Sequence, residues 1–111
     1  MDTKLKLKWI RALRSGQYQR GKEALADCDG NKFCCLGVLA DIQGCTWKED
    51  RYGLGLVPIT QSGRAIVSTT NKMLPPKHAG GLGTDFQKKL AEMNDEGKSF
   101  RWIADYIEKN L

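Results

Sequence analysis

Hydrophobic positions recur with a helical period at both ends of the chain and lose that regularity in between. Over residues 4–15, Leu5, Trp9, Ala12 and Leu13 share one helical face, with Ile10 at its edge. Lysines and arginines hold the opposite face, and Gly16 stands where a helix C-terminal cap is wanted. At the other end, Thr84-Asp85-Phe86-Gln87 has the form of a capping box, in which Gln87 would reach back to the Thr84 amide. Phe86, Leu90 and Met93 then make a stripe that stops near Gly97. Ser99 can cap a last helix in which Phe100, Ile103, Ala104, Ile107 and Leu111 keep the period, with Trp102 and Tyr106 as an aromatic strip beside them. These two segments predict an αα-hairpin.

Between the ends the pattern shortens. Residues 17–33 predict a polar hairpin region turning at Asp29-Gly30-Asn31, with short strands at Lys22–Ala26 and Lys32–Cys34. Cys34–Ile42 carries apolar residues at Cys35, Leu36, Val38, Leu39 and Ile42, which suits a buried helix ended by Gly44. Periodicity leaves a short buried strand open there. Residues 45–83 are punctuated by glycine and proline; Leu54–Thr60 and Arg64–Thr70 are β-rich and predict a hairpin across Gln61-Ser62-Gly63. Pro58 would put its first strand at a sheet edge. The whole reads as one α+β domain over residues 1–111: an N-terminal basic helix, a short antiparallel sheet, a buried cysteine-bearing helix and a C-terminal αα-hairpin.

Charge adds one asymmetry. The net charge is +5, yet residues 1–22 alone have a balance of +6, from Lys4, Lys6, Lys8, Arg11, Arg14, Arg20 and Lys22 against Asp2. The rest of the chain is close to neutral. Such a cluster steers a protein towards nucleic acid or an acidic protein surface, or is a solvated helix face. The apolar runs fall far short of the roughly 20 residues that span a bilayer, and the N-terminus has no apolar signal core. The expected compartment is the cytoplasm, with no membrane partner.

Four cysteines, Cys28, Cys34, Cys35 and Cys45, carry the only candidate reaction chemistry. A reducing compartment disfavours disulfides. Zinc knuckles pair ligands two to four residues apart, and this spacing does not, so no metal or cofactor is expected. A thiol at a helix N-terminus can have a lowered pKa. A papain-like reading would make Cys34 or Cys35 the nucleophile and His78 its base, with Asp85 to orient it. Against it, Lys77-His78-Ala79-Gly80 reads as an exposed loop, and the better default for the thiols is buried apolar packing. Gly80-Gly81-Leu82-Gly83-Thr84 lacks the lysine ending of a P-loop and reads as a loop entering a helix cap. The last helices resemble the opening of a helix-turn-helix, but no recognition helix follows before Leu111.

Three blocks occur in order: Ala-Leu-Arg-Ser-Gly-Gln-Tyr over residues 12–18, Lys-Phe-Cys-Cys-Leu-Gly-Val-Leu-Ala-Asp over residues 32–41, and Met-Asn-Asp-Glu-Gly-Lys-Ser-Phe with Ile-Ala-Asp-Tyr-Ile-Glu over residues 93–108. Together they resemble small uncharacterised proteins of tailed bacteriophages and prophages. The resemblance carries no catalytic residues. It implies a phage-encoded accessory protein in the bacterial cytoplasm, of the kind that binds host enzymes, defence systems or nucleic acid in stoichiometric amounts.

The expectation is therefore a non-enzymatic inhibitor or modulator of a host or defence-system protein. Its contact would be the basic face (Lys4, Lys8, Arg11, Arg14) or the Trp102/Tyr106 strip. Nucleic-acid binding through the same basic helix, and a cysteine-dependent enzyme, are the alternatives.

Overall fold

A computed structural model describes residues 1–21, 24–27, 30–49, 55–66 and 73–111. The N-terminal helix α1 spans Thr3–Arg14; the Asp2 side chain accepts from the Leu5 amide at 2.8 Å and caps it. Trp9, Ile10 and Leu13 are its buried residues, so Ile10 belongs to the core rather than the edge of the apolar face. Two helices close the chain, α3 over Thr84–Asp95 and α4 over Phe100–Asn110, joined by a short turn. This is the expected αα-hairpin, although α4 lies chiefly along α1 and touches α3 less. Ser99 caps α4 as predicted, accepting from the Trp102 amide at 3.1 Å, and Phe100, Ile103, Ala104 and Ile107 are buried.

Between these layers sits α2, Cys35–Asp41, with Cys34 as its N-cap and every residue from Cys35 to Ala40 buried. The helical alternative wins here because all its faces find cover. Gly37 shows why: a Cβ on it would stand 1.8 Å from the Leu25 carbonyl oxygen, so the backbone of Leu25 lies directly on the helix. The Leu25 carbonyl also accepts from the Cys34 amide at 3.2 Å, and the Trp9 indole donates to the Cys35 carbonyl at 2.9 Å.

The β structure is small and is paired differently from the sequence expectation. Strands β1 (Gln19–Arg20) and β2 (Lys32–Phe33) run parallel. The expected hairpin return survives as a turn at Gly30 and one antiparallel bridge, Ala26 to Phe33, while Lys22, Glu23 and Asp29 lie outside the described residues. Strands β3 (Thr46–Glu49) and β4 (Leu56–Ile59) form the antiparallel sheet. The hairpin expected between Leu54–Thr60 and Arg64–Thr70 is present as a turn, with the Gly63 amide donating to the Thr60 carbonyl at 2.9 Å and a bridge from Ile59 to Ala65. Leu54 and residues 67–70 lie outside the described residues, and the ladder partner of β4 is β3, which the pattern does not predict. The Pro58 carbonyl accepts from the Ile66 amide at 2.8 Å. A strand residue's N and C=O point the same way, so the donor Pro58 lacks faces away from β3, as proline in a sheet requires.

The capping box does not form. The N-cap of α3 is Gly83, which has no side-chain cap, and Gln87 turns inward and is fully buried. Its Oε1 accepts from the Leu74 amide at 2.7 Å, while its Nε2 donates to the Leu74 carbonyl at 2.8 Å and the Leu82 carbonyl at 3.0 Å. Asn94, also fully buried, donates to the Gly21 carbonyl at 2.7 Å and accepts from the Cys35 amide at 3.2 Å. The inner row of α3 is therefore Gln87, Leu90 and Asn94, with Phe86 and Met93 at its half-buried margins. A buried polar group without a partner is costly, and these two amides instead satisfy the loop backbones that reach the core.

Candidate functional site

The cysteine block sits where the sequence places it. Cys34 is at the N-terminus of α2, and its Sγ accepts from the Gly37 amide at 3.4 Å. Burial is the largest effect and pushes the thiol up to about 11, against the backbone amides of Gly37 and Leu36, which pull it down. Cys35 is likewise held well above the ordinary thiol range by burial, with its Sγ against the Leu90 carbonyl. Both thiols are thus neutral at physiological pH, which is the reverse of what a nucleophile needs.

Nor does the fold pair them with an imidazole. His78 ends a single 3₁₀ turn, Pro76–His78, and its carbonyl accepts from the Gln43 side chain at 2.6 Å. Gln43 lies beyond the C-terminal end of α2, whereas Cys34 and Cys35 are at the other end. The 7-residue helix puts about 10 Å between the two ends. The thiol that shares a pocket with His78 is Cys45, in a cavity of ≈ 180 Å³ also lined by Gln43, Thr60, Gln61 and Ile66. Burial and the nearby Asp41 carboxylate raise the Cys45 thiol to about 11 as well. Asp41 is itself held by the Tyr18 hydroxyl and by the Trp47 indole at 2.9 Å, with Phe33 packed edge-on between these rings. This cluster braces the C-terminal end of α2 against β3. Cys28 and its surroundings lie outside the described residues, among which no group of three or more His, Cys, Asp or Glu side chains could hold a metal.

The basic face divides into two parts. Arg14 bridges to α4, donating to Asp105 at 2.6 Å and to Glu108 at 3.2 Å, and this pairing raises its pKa further and lowers that of Glu108. Its charge is committed within the molecule, so it leaves the set of free partner-binding cations expected from the sequence. Lys4, Lys8 and Arg11 remain exposed on the outer row of α1, with no carboxylate at ion-pair distance among the described residues. Leu7 stands among them and is 54% exposed, although it is a large apolar residue. The sequence reading omitted it. Its signal was available: a leucine between lysines at positions three before and one after, on the polar side of the helix.

Trp102 and Tyr106 do form a strip. The Trp102 ring stacks on Tyr106 with centroids 5.7 Å apart and planes 11° apart, and Tyr106 continues to Phe86 at 5.9 Å. Lys98 places its Nζ 4.8 Å from the Trp102 centroid. Lys98, just before α4, and Tyr106 each stand four residues from Trp102, so the indole is engaged by both within the molecule while remaining 41% exposed.

The described residues thus define a small α+β domain whose placed thiols are neutral and whose distinctive outward chemistry is a cationic helix face with an apolar centre. No helix they form is long and apolar enough to cross a membrane. The chain belongs to the family described as a domain of unknown function (DUF8296), whose model matches residues 1–111. No curated protein and no solved structure is significantly similar to it.

Proposed function

We propose that this chain is a phage-type accessory protein that works in the bacterial cytoplasm without chemistry of its own, binding a host or defence-system protein stoichiometrically through the outer face of α1. The observation that carries this reading is Leu7, 54% exposed at the centre of Lys4, Lys8 and Arg11. A single exposed leucine is common on soluble proteins, and what supports the reading here is its place beside three cations with no ion pair among the described residues. A nucleic-acid surface would draw its affinity from the cations through phosphate contacts, with little return from the leucine. A protein interface uses both, an apolar anchor inside a charged rim. The neutral, buried Cys34 and Cys35 support a binding role over a cysteine-dependent reaction.

Affinity capture from bacterial lysate, with and without nuclease, tests the proposal. The baits are wild type, Leu7→Ala and a Lys4/Lys8/Arg11 charge reversal. The expected result is a single host protein retained after nuclease, weakened by Leu7→Ala and lost in the charge reversal. Capture that disappears with nuclease, with an affinity for purified DNA or RNA that falls steeply with salt and ignores Leu7→Ala, would establish nucleic-acid binding instead.

A further inference from the structure

A groove runs beside α1, lined by Leu7, Ile10, Arg11, Arg14, Ser15 and Glu108, with a volume of ≈ 420 Å³. That volume lies towards the lower end of the range for small-molecule sites, about 300–1,000 Å³. The groove is open along its length, however, and a free small molecule needs roughly 70–90% of its surface covered. An open trough with apolar lining residues suits a side chain delivered by a macromolecule. Its apolar lining is Ile10, almost fully covered, and Leu7, which is exposed.

Charge then selects the occupant. The Arg14 guanidinium is taken by Asp105 and Glu108, so Arg11 is the lining cation left for a partner, and Lys4 and Lys8 extend the positive charge past the groove on the exposed face of α1. Lys4, Lys8 and Arg11 follow one another at intervals of four and three residues, on the same row as Leu7. At a rise of about 1.5 Å per residue, Lys4 and Arg11 stand about 10 Å apart along the helix axis. Resting on the protein-binding reading above, we infer that this groove seats an acidic segment of the partner protein, with one large apolar side chain entering beside Leu7 and Ile10 and carboxylates spread over about two helical turns meeting Lys4, Lys8 and Arg11.

The test uses defined probes and needs no knowledge of the natural partner. A displayed library of random peptides, ~12 residues long to allow about three helical turns, is panned on the intact chain. Selected peptides are then titrated against wild type, Leu7→Ala, Leu7→Asn and the Lys4/Lys8/Arg11 charge reversal. Circular dichroism verifies that each variant is folded, and Leu7 is exposed enough for both replacements to be accommodated. The expected consensus has at least two carboxylates and one Leu, Phe, Met or Trp, with affinity lowered at least about tenfold by Leu7→Ala and abolished by the charge reversal. No enriched sequence, a consensus without acids, or affinity indifferent to Leu7 would overturn the groove assignment. Labelled duplex DNA and single-stranded RNA are titrated in parallel at low and high salt. Salt-sensitive binding to either that ignores Leu7→Ala, with no host protein retained after nuclease, overturns the protein-binding reading as well. A host protein retained after nuclease but indifferent to Leu7 overturns the groove alone.

Discussion

Replacing Gln87 by Glu separates two accounts of α3 that predict opposite signs. In a capping box the side chain at this position faces solvent near the positive end of the helix, and Glu would be neutral or stabilising by up to about 1 kcal/mol. In the structure the amide is fully buried, and its Nε2 faces two carbonyl oxygens at 2.8 and 3.0 Å. A carboxylate there can still accept from the Leu74 amide, but its second oxygen is set against the Leu74 and Leu82 carbonyls. It must either remain charged among acceptors or take up a proton and satisfy only one of them. Gln87→Ala removes the side chain outright and strands three buried backbone groups. At about 1–3 kcal/mol per stranded group, partly recovered by water and local relaxation, the loss is about 3–5 kcal/mol, from a total of about 5–15 for such a domain.

Urea unfolding followed by tryptophan fluorescence, with Trp9 in the core as reporter, measures both variants. With a slope of about 1–3 kcal/mol per molar urea, a loss of about 3 kcal/mol lowers the midpoint by about 1–3 M. The Gln87→Glu variant carries a further signature in pH. Burial raises the introduced carboxyl above its unfolded value of about 4.3, so the deficit is smallest below about pH 4 and grows as pH rises through the folded value. A Gln87→Glu midpoint equal to or above wild type at neutral pH, with Gln87→Ala within about 1 kcal/mol of wild type, would refute the buried clamp.

Three further perturbations test the packing. Gly37→Ala places a methyl 1.8 Å from the Leu25 carbonyl oxygen, so either α2 or the 24–27 segment must move; a loss of more than about 3 kcal/mol or failure to fold is expected in the same urea assay. Cys34 gives the wild type an alkaline limit. Its folded pKa of about 11 lies above its unfolded value, so its contribution is complete below about pH 9 and is lost as pH rises towards 11, about 2–3 kcal/mol in all. Urea midpoints at pH 8 and 10.5 (each to about half a unit) should converge between wild type and Cys34→Ser as that thiolate is admitted. Arg14→Ala should lower the midpoint only slightly, and the difference should shrink in about 1 M salt, because its pairs with Asp105 and Glu108 are exposed.

The helices of this fold were legible wherever an apolar row met a local signal. Asp2 before α1 and Ser99 before α4 cap their helices through their own side chains, which is why those ends are readable from a few residues. The inner row of α3 defeats that reading because two of its members are amides. Gln87 and Asn94 look like a polar face until the backbones of Leu74, Leu82, Cys35 and Gly21 are brought beside them, and that is a tertiary event. The sheet was hidden for a similar reason. Strand β3 is mostly exposed, with only Trp47 tucked against the core, so it lacks the alternation that marks a strand. Its partner is chosen by the turn around Gly44 and the covered β4, and composition records neither.

The candidate site was legible in kind but not in membership. The sequence correctly places Cys34 at a helix N-terminus, yet a dipole argument alone has no access to the competing burial, which comes from the packing of other elements around a 7-residue helix whose residues Cys35 to Ala40 are all buried. With the thiol neutral and the imidazole at the far end of α2, the local motif ceases to be a reactive one. The basic helix shows the same limit from the other side. Arg14 is indistinguishable from Lys4, Lys8 and Arg11 in a helical projection, and only the approach of α4 withdraws it by presenting Asp105 and Glu108. That withdrawal has a consequence for recognition. It puts the paired Arg14 and Glu108 in the groove's lining and leaves Arg11 as the lining's cation without an ion pair among the described residues, with Lys4 and Lys8 beyond it on the exposed face of α1. A uniform polyanion would gain from Arg11 and meet the Glu108 carboxylate in the same lining. A segment with acids on one face and an apolar side chain beneath avoids that conflict, because only its acidic face has to meet Lys4, Lys8 and Arg11.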